Sequence, residues 1–129
     1  MIVDTSALVA ILFCEKDSEK YARAIAEAES RRISAASFVE AAIVIDAQTQ
    51  TEGSSQFHAF IRRARITIEP VTEEQAHLAR QAYLDFGKGR HPAGLNFGDC
   101  FAYALAKATG ESLLFKGEDF AKTDVQAAL

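Results

Sequence analysis

Four carboxylic acids, Asp4, Glu40, Asp99 and Asp119, lie far apart in a chain of 129 residues, yet each occupies the same kind of position. Asp4 closes the short apolar burst Met1-Ile2-Val3. Glu40 falls in the first helical turn after a second strand pattern, Asp99 opens a helix pattern after the longest irregular loop, and Asp119 follows the last clear strand pattern by a few residues. If those strands form one parallel sheet, their C-terminal ends share an edge, and ligands bind at that edge in open α/β sheets. Four like charges gathered there disfavour one another's ionised forms. A hard divalent cation removes the cost, because Mg²⁺ takes carboxylate and water oxygens in an octahedron. Held between acids, it activates water and stabilises charge on a phosphoryl oxygen. The chemistry that fits is metal-assisted hydrolysis of a phosphodiester.

Each acid also has an ordinary role open to it. Asp4 precedes a helix, where a carboxylate serves as cap or dipole partner. Glu40 stands three residues after Ser37, the spacing of a capping box. Asp99 gains from a helix N-terminus, and Asp119 in the Lys116-Gly117-Glu118-Asp119 turn suits an Asx-turn. Other residues offer less chemistry. His58 and His77 belong to amphipathic helices, leaving His91 in the glycine-rich loop as the one histidine considered near a substrate. Cys100 has no histidine partner in view and reads as a small buried residue. The phenylalanines recur at helical spacing and are assigned to the core. Gly94 to Gly98 matches no Walker or dinucleotide glycine pattern.

The elements that must position the acids follow from periodicity and caps. Thr5 and Ser6 offer cap hydroxyls to a helix from Ala7 to Cys14, apolar nearly all round. Asp17-Ser18 caps a second helix to about Glu29, and Arg31 to Ser34 reads as a strand. Ser37 to Glu40 opens a helix through Ala47 or beyond, and Thr49 to Ser55 is a loop or helix break. Phe57, Phe60, Ile61 and Ala64 give a helical stripe, Ile66 to Ile68 a strand, and Thr72 to Gln75 a second capping box for a helix to about Phe86. Gly87 to Asn96 is a loop, Gly98 to Thr109 a helix with Gly110 at C′, Ser112 to Phe115 a strand, with one more short strand near Val125. Short strands alternating with helices of ten or more residues predict βαβ units on a parallel sheet within a single domain, residues 1–129.

Composition narrows the function classes. Eighteen acids against 14 bases leave a net charge of −4, which excludes holding nucleic acid by bulk positive charge. Two cysteines without a CxxC pattern exclude a disulfide framework and a zinc knuckle, and point to a reducing cytoplasm. The apolar run Ala7–Cys14 is too short to span a membrane and lacks a basic leader.

Four stretches carry a resemblance: Met1-Ile-Val-Asp4-Thr-Ser6-Ala, Ser37-Phe-Val-Glu40, Leu95-Asn96-Phe-Gly-Asp99-Cys-Phe-Ala-Tyr-Ala-Leu-Ala106 and Leu114-Phe-Lys116-Gly-Glu-Asp119-Phe. In order and spacing they resemble the PIN-domain ribonucleases, within them the VapC toxins of bacterial toxin–antitoxin systems, over essentially the whole chain. The resemblance implies a three-layer α/β/α sandwich with an acidic pocket for Mg²⁺ or Mn²⁺, endonucleolytic cleavage of RNA (tRNA or ribosomal RNA) and inhibition of translation. It implies Asp4 and Asp99 as metal ligands, with Glu40 and Asp119 completing the set directly or through water. Ser6 and Asn96 match positions that support the pocket, and Asp124 a further acidic position. It also implies a small antitoxin partner and a homodimer.

Substrate grip is expected from local positive segments. Lys88 and Arg90 beside His91, and Lys116, are the candidates near the acids, while Arg62, Arg63 and Arg65 form a second cluster. Two other readings stand against the nuclease. One is a phosphoryl-transfer protein of receiver or haloacid-dehalogenase type, although the latter wants an acid where Ser6 stands. The other is a non-catalytic α/β regulatory module whose acids are only caps.

Overall fold

Ile2 and Val3 are both fully buried. Consecutive strand residues point to opposite faces, so a strand buried on both sides needs helices above and below it. A computed structural model describing residues 1–129 has this arrangement. β1 (Ile2–Val3), β2 (Arg32–Ser34), β3 (Thr67–Glu69) and β4 (Leu113–Leu114) form a sheet in the order β3-β2-β1-β4. Every pairing is parallel. One core cluster joins Val3, Ile33 and Leu114 to side chains of α1 (Thr5–Leu12), α2 (Ser18–Glu27), α3 (Ala35–Gln48) and α4 (Thr51–Arg63). The other joins Ile2 and Leu113 to α5 (Glu73–Phe86) and α6 (Phe97–Thr109). The expected three-layer sandwich forms.

Helix starts depart from the pattern in instructive ways. α3 begins at Ala35, because Ser34 is its N-cap and accepts from the Ala36 N–H at 3.3 Å. The expected box of Ser37 and Glu40 therefore does not exist. Ser37 is fully buried, and its Oγ has no partner. Asp17 holds the cap position of α2 in a left-handed conformation, and its carboxylate caps nothing. Thr72 does cap α5, accepting from the Gln75 N–H at 3.1 Å. The break before α4 is shorter than Thr49–Ser55, since the helix already begins at Thr51. Near the C-terminus, the strand expected around Val125 is a single parallel bridge between Leu113 and Ala127. Gly110 ends α6 with φ 71°, the left-handed turn that favours glycine. No helix is long and apolar enough to cross a membrane.

Candidate active site

β1 ends at Val3, and the chain turns directly into α1 with Asp4 as N-cap. Asp4 is only 3% exposed. Its Oδ2 accepts from the Ser6 N–H at 2.9 Å and from the Ser6 hydroxyl at 2.6 Å. The same hydroxyl accepts from the Lys116 N–H at 3.0 Å, which fastens this junction to the turn after β4. Asp4 Oδ1 is buried with no hydrogen-bond partner. Burial pushes the carboxyl up to about 7; the two Ser6 bonds oppose the rise, and the charges of Asp99 and Glu40 add to it.

Asp99 lies in the first turn of α6, in a reciprocal capping box that the sequence reading missed. Asn96 Oδ1 accepts from the Asp99 N–H at 2.9 Å, and Asp99 Oδ2 accepts from the Asn96 N–H at 3.0 Å. The Asn-x-x-Asp spacing was the available signal. The box fixes one oxygen of a half-buried carboxylate. Burial raises its pKa, the Asn96 bond lowers it, and the charges of Glu40 and Asp119 raise it again. The adjacent Cys100 thiol is pushed up to about 11 by burial and by Asp99, so it is no nucleophile.

Glu40 falls in the second turn of α3 rather than the first, which frees its carboxylate from any capping role. It lies against α6 where residue 98 is glycine; a Cβ there would collide with the Glu40 carboxylate. Gly98 is thus the seat of Glu40, a role invisible without the fold. Asp119 is exposed at the start of the short 3-10 turn Phe120–Lys122, and its side chain makes no cap bond. Its charge is felt at Asp99.

The four acids thus share one edge of the sheet. No three of them, and no other three His, Cys, Asp or Glu side chains, stand together in a metal-ligating group.

The remaining candidates divide. Ser6 and Asn96 each hold a carboxylate of the set, as above. Asp124 lies elsewhere: it accepts from the Tyr103 hydroxyl at 2.7 Å and from Lys107 Nζ at 3.1 Å. The Lys116 side chain is paired with Glu15. His91 Nδ1 accepts from the Ala93 N–H at 3.0 Å, and its ring packs edge-on against Phe86, so it shapes its own loop. Arg90 is stacked over Tyr83, and Lys88 is exposed on the rim of a groove of about 540 Å³ between α5 and α6. That groove corrects the assignment of every phenylalanine to the core, since Phe97, on its wall, is 82% exposed.

Residues 1–126 match the sequence profile of the PIN domain. Ribonuclease VapC28 of Mycobacterium tuberculosis is 56% identical over 130 residues, covering 100% of this chain and 98% of the relative. The chain belongs to the PIN-domain family, among its VapC ribonucleases. A ribonuclease VapC of Mycolicibacterium smegmatis is 50% identical, with 98% of each protein covered. The fold is also that of a crystal structure of Mycobacterium tuberculosis VapC20, described as a sarcin–ricin loop cleaving toxin. That likeness has a TM-score of 0.76 at 17% identity, over 96% of this chain and 95% of that one. A toxin–antitoxin complex from Klebsiella pneumoniae contains a similar chain, with a TM-score of 0.73 at 14% identity, over 95% of this chain and 92% of that one. Membership weighs against the receiver-like and non-catalytic readings.

Proposed function

We propose that this VapC-family chain is the toxin of a toxin–antitoxin pair, an endoribonuclease that cuts tRNA or ribosomal RNA in the cytoplasm with Mg²⁺ or Mn²⁺ and so inhibits translation. The observation that carries the reading is the asymmetry of Asp4: Oδ2 holds two hydrogen bonds, while the buried Oδ1 holds none. A buried, unpartnered carboxylate oxygen is costly in a folded protein. The donor set around it is all hard oxygen, which suits Mg²⁺ or Mn²⁺ and not a soft metal. Asp4 and Asp99 would hold the ion, with Glu40 and Asp119 completing its surroundings directly or through water. Bound there, the ion supplies Lewis acidity toward the phosphate and a more acidic water.

The chain's own residues do the rest. Ser6 and the Asn96 box keep one oxygen of each principal carboxylate immobile, so both acids present a fixed free oxygen. Glu40, which has no capping role and lies against Gly98, would orient a water and take its proton. Lys88 and Arg90 are available to the RNA backbone on the groove side. In-line attack by water does not use the 2′-hydroxyl, so the products carry 5′-phosphate and 3′-hydroxyl ends. A small antitoxin and a second copy of the chain are the proposed protein partners. The apolar groove between α5 and α6, whose lining includes Cys100 next to Asp99, is suited to an antitoxin segment that also crosses the acids.

The test is incubation with total cellular RNA and Mn²⁺, with mapping of the cut ends. Discrete cuts, absent with Asp4→Asn and with EDTA, are expected. Cleavage that survives EDTA, or is unchanged in both Asp4→Asn and Asp99→Asn, overturns the assignment.

A further inference from the structure

We infer that Phe97 is a stacking platform for an unpaired RNA base close to the cleaved phosphate, with Arg80 and Lys88 meeting the backbone of the same strand. The inference deepens the ribonuclease reading proposed above and rests on it.

Phe97 is the most exposed large apolar side chain of the molecule, at 82%. It holds the first position of α6, directly after the Asn96 cap. Its ring meets that of Phe101 at 78°, with centroids 4.9 Å apart, a contact that braces one side and leaves the rest in solvent. The other aromatic rings of the groove are less free. Phe101 is half-buried, and Tyr83 carries the Arg90 guanidinium 5.5 Å from its ring centroid. Phe97 is therefore the groove aromatic with a ring open to a ligand. A splayed nucleobase needs such a ring, because every base has a π-face and stacks whatever its identity.

Charge selects the occupant. Arg80 and Lys88 line the groove, no acidic side chain does, and neither cation is in an ion pair. The Lys88 N–H donates to the Leu95 carbonyl at 2.9 Å, which sets this lysine at the end of the groove where α6 begins. Free cations beside an open aromatic ring make up the channels that hold single-stranded nucleic acid. Two copies of this face would oppose like charges. An antitoxin segment in the groove and an RNA strand along it would exclude one another.

Position ties the platform to the acids. Two residues apart on a helix, the α-carbons of Phe97 and Asp99 are about 5 Å from each other, while the side chains diverge by about 200°. A strand with a phosphate at Asp99 thus crosses the first turn of α6 to lay a base on Phe97.

The chain contains no tryptophan, so Phe97→Trp adds a single fluorophore and keeps a stacking ring. It is titrated with a short single-stranded RNA of mixed sequence in EDTA, which withholds the metal, while anisotropy of a label on the RNA follows binding independently. Quenching of the introduced tryptophan is expected, and none from a ribose-phosphate strand of equal length without bases. Phe97→Ala and Phe97→Leu should each bind RNA roughly tenfold more weakly than the unaltered chain, the scale of losing one base–aromatic stack. Their Tm should be unchanged, since the side chain is exposed. RNA that binds without quenching, or that binds Phe97→Ala or Phe97→Leu as tightly as the unaltered chain, overturns the platform and leaves the ribonuclease reading standing. The groove then serves a protein segment alone. Where EDTA abolishes binding, cleavage in Mn²⁺ decides: a KM raised roughly tenfold in Phe97→Ala supports the platform, and an unchanged KM overturns it. Neither binding nor cleavage by the unaltered chain overturns both readings.

Discussion

The two edges of the sheet treat the same functional group in opposite ways. At the N-terminal edge, Glu111 meets the Met1 ammonium, the Ser30 hydroxyl at 3.0 Å and Arg32 Nε at 3.3 Å. Arg32 also reaches Glu69 at 3.5 Å. Burial acts to raise Glu111, but the bonds from the N-terminus and Ser30 and the nearby cations outweigh it, and its pKa is lowered. At the C-terminal edge, Asp4 and Asp99 face Glu40 and Asp119 with no cation among the causes of their shifts, and both are raised. One edge is neutralised by the chain and contributes stability. The other keeps its like charges without a cation, which costs stability. This division separates an acid that staples the fold from acids whose ionisation the fold opposes.

The largest expected break comes from Asp4→Asn. RNA cleavage should fall by at least about 10²–10³-fold, the scale of losing one electrostatic group from a reaction centre. The metal-free fold should gain stability at pH 8, measured as a higher Tm. A lower Tm would place Asp4 with the stapling acids of the opposite edge.

The pH dependence of the two edges should differ in sign. Asp4 titrates near 7 in the folded chain against an ordinary 3.8, so between those values the native state binds the extra proton. Metal-free stability should therefore fall as pH rises from about 4 to 7, by up to roughly 4 kcal/mol for a shift of this size. Mn²⁺ should reverse the trend, and Asp4→Asn should flatten it in chemical denaturation. Glu111, lowered in the folded state, contributes stability present above its ordinary pKa and lost as pH falls through its folded value.

Gly98→Ala probes the seat of Glu40. The added methyl meets the end of a flexible side chain, so the protein should fold with a Tm near that of the unaltered chain while Glu40 is displaced. Cleavage should drop about 100-fold, the scale of misplacing a reacting group by ~1 Å, whereas unchanged cleavage would take Glu40 out of the reaction. The smallest effect is expected from Glu111→Gln, a loss of about 1 kcal/mol that shrinks with added salt, without effect on cleavage.

Much of this molecule is written locally. The 3.6-residue stripe of Phe57, Phe60 and Ile61, the Thr72 cap and the Gly110 stop follow from torsional preference and neighbouring hydrogen bonds, and they appear where the pattern places them. The alternation of short strands with helices carried the parallel sheet, and with it the nearness of four distant acids. Glu40 shows where local reading ends. Ser34 and Ser37 both suit a cap and both are fully buried, so the choice was made by where β2 ends, at Ser34, not by either hydroxyl. Phe97 fits an apolar stripe as well as Phe101 does, but packing left it in solvent.

Asp124 and Asp119 make the same point within five residues of sequence. Both are acids in a polar turn, and only the path of the tail across α6 sends one to Tyr103 and Lys107 and the other toward Asp99. The sequence by itself determined the type and approximate length of most elements and which residue types reach the C-terminal edge. Tertiary structure alone decided which carboxylate is buried, which oxygen is left without a partner and which cation is near enough to matter. The physical reason is range: hydrogen-bonded turns and side-chain periodicity act over a few residues, whereas burial and electrostatic environment are set by segments a hundred residues away.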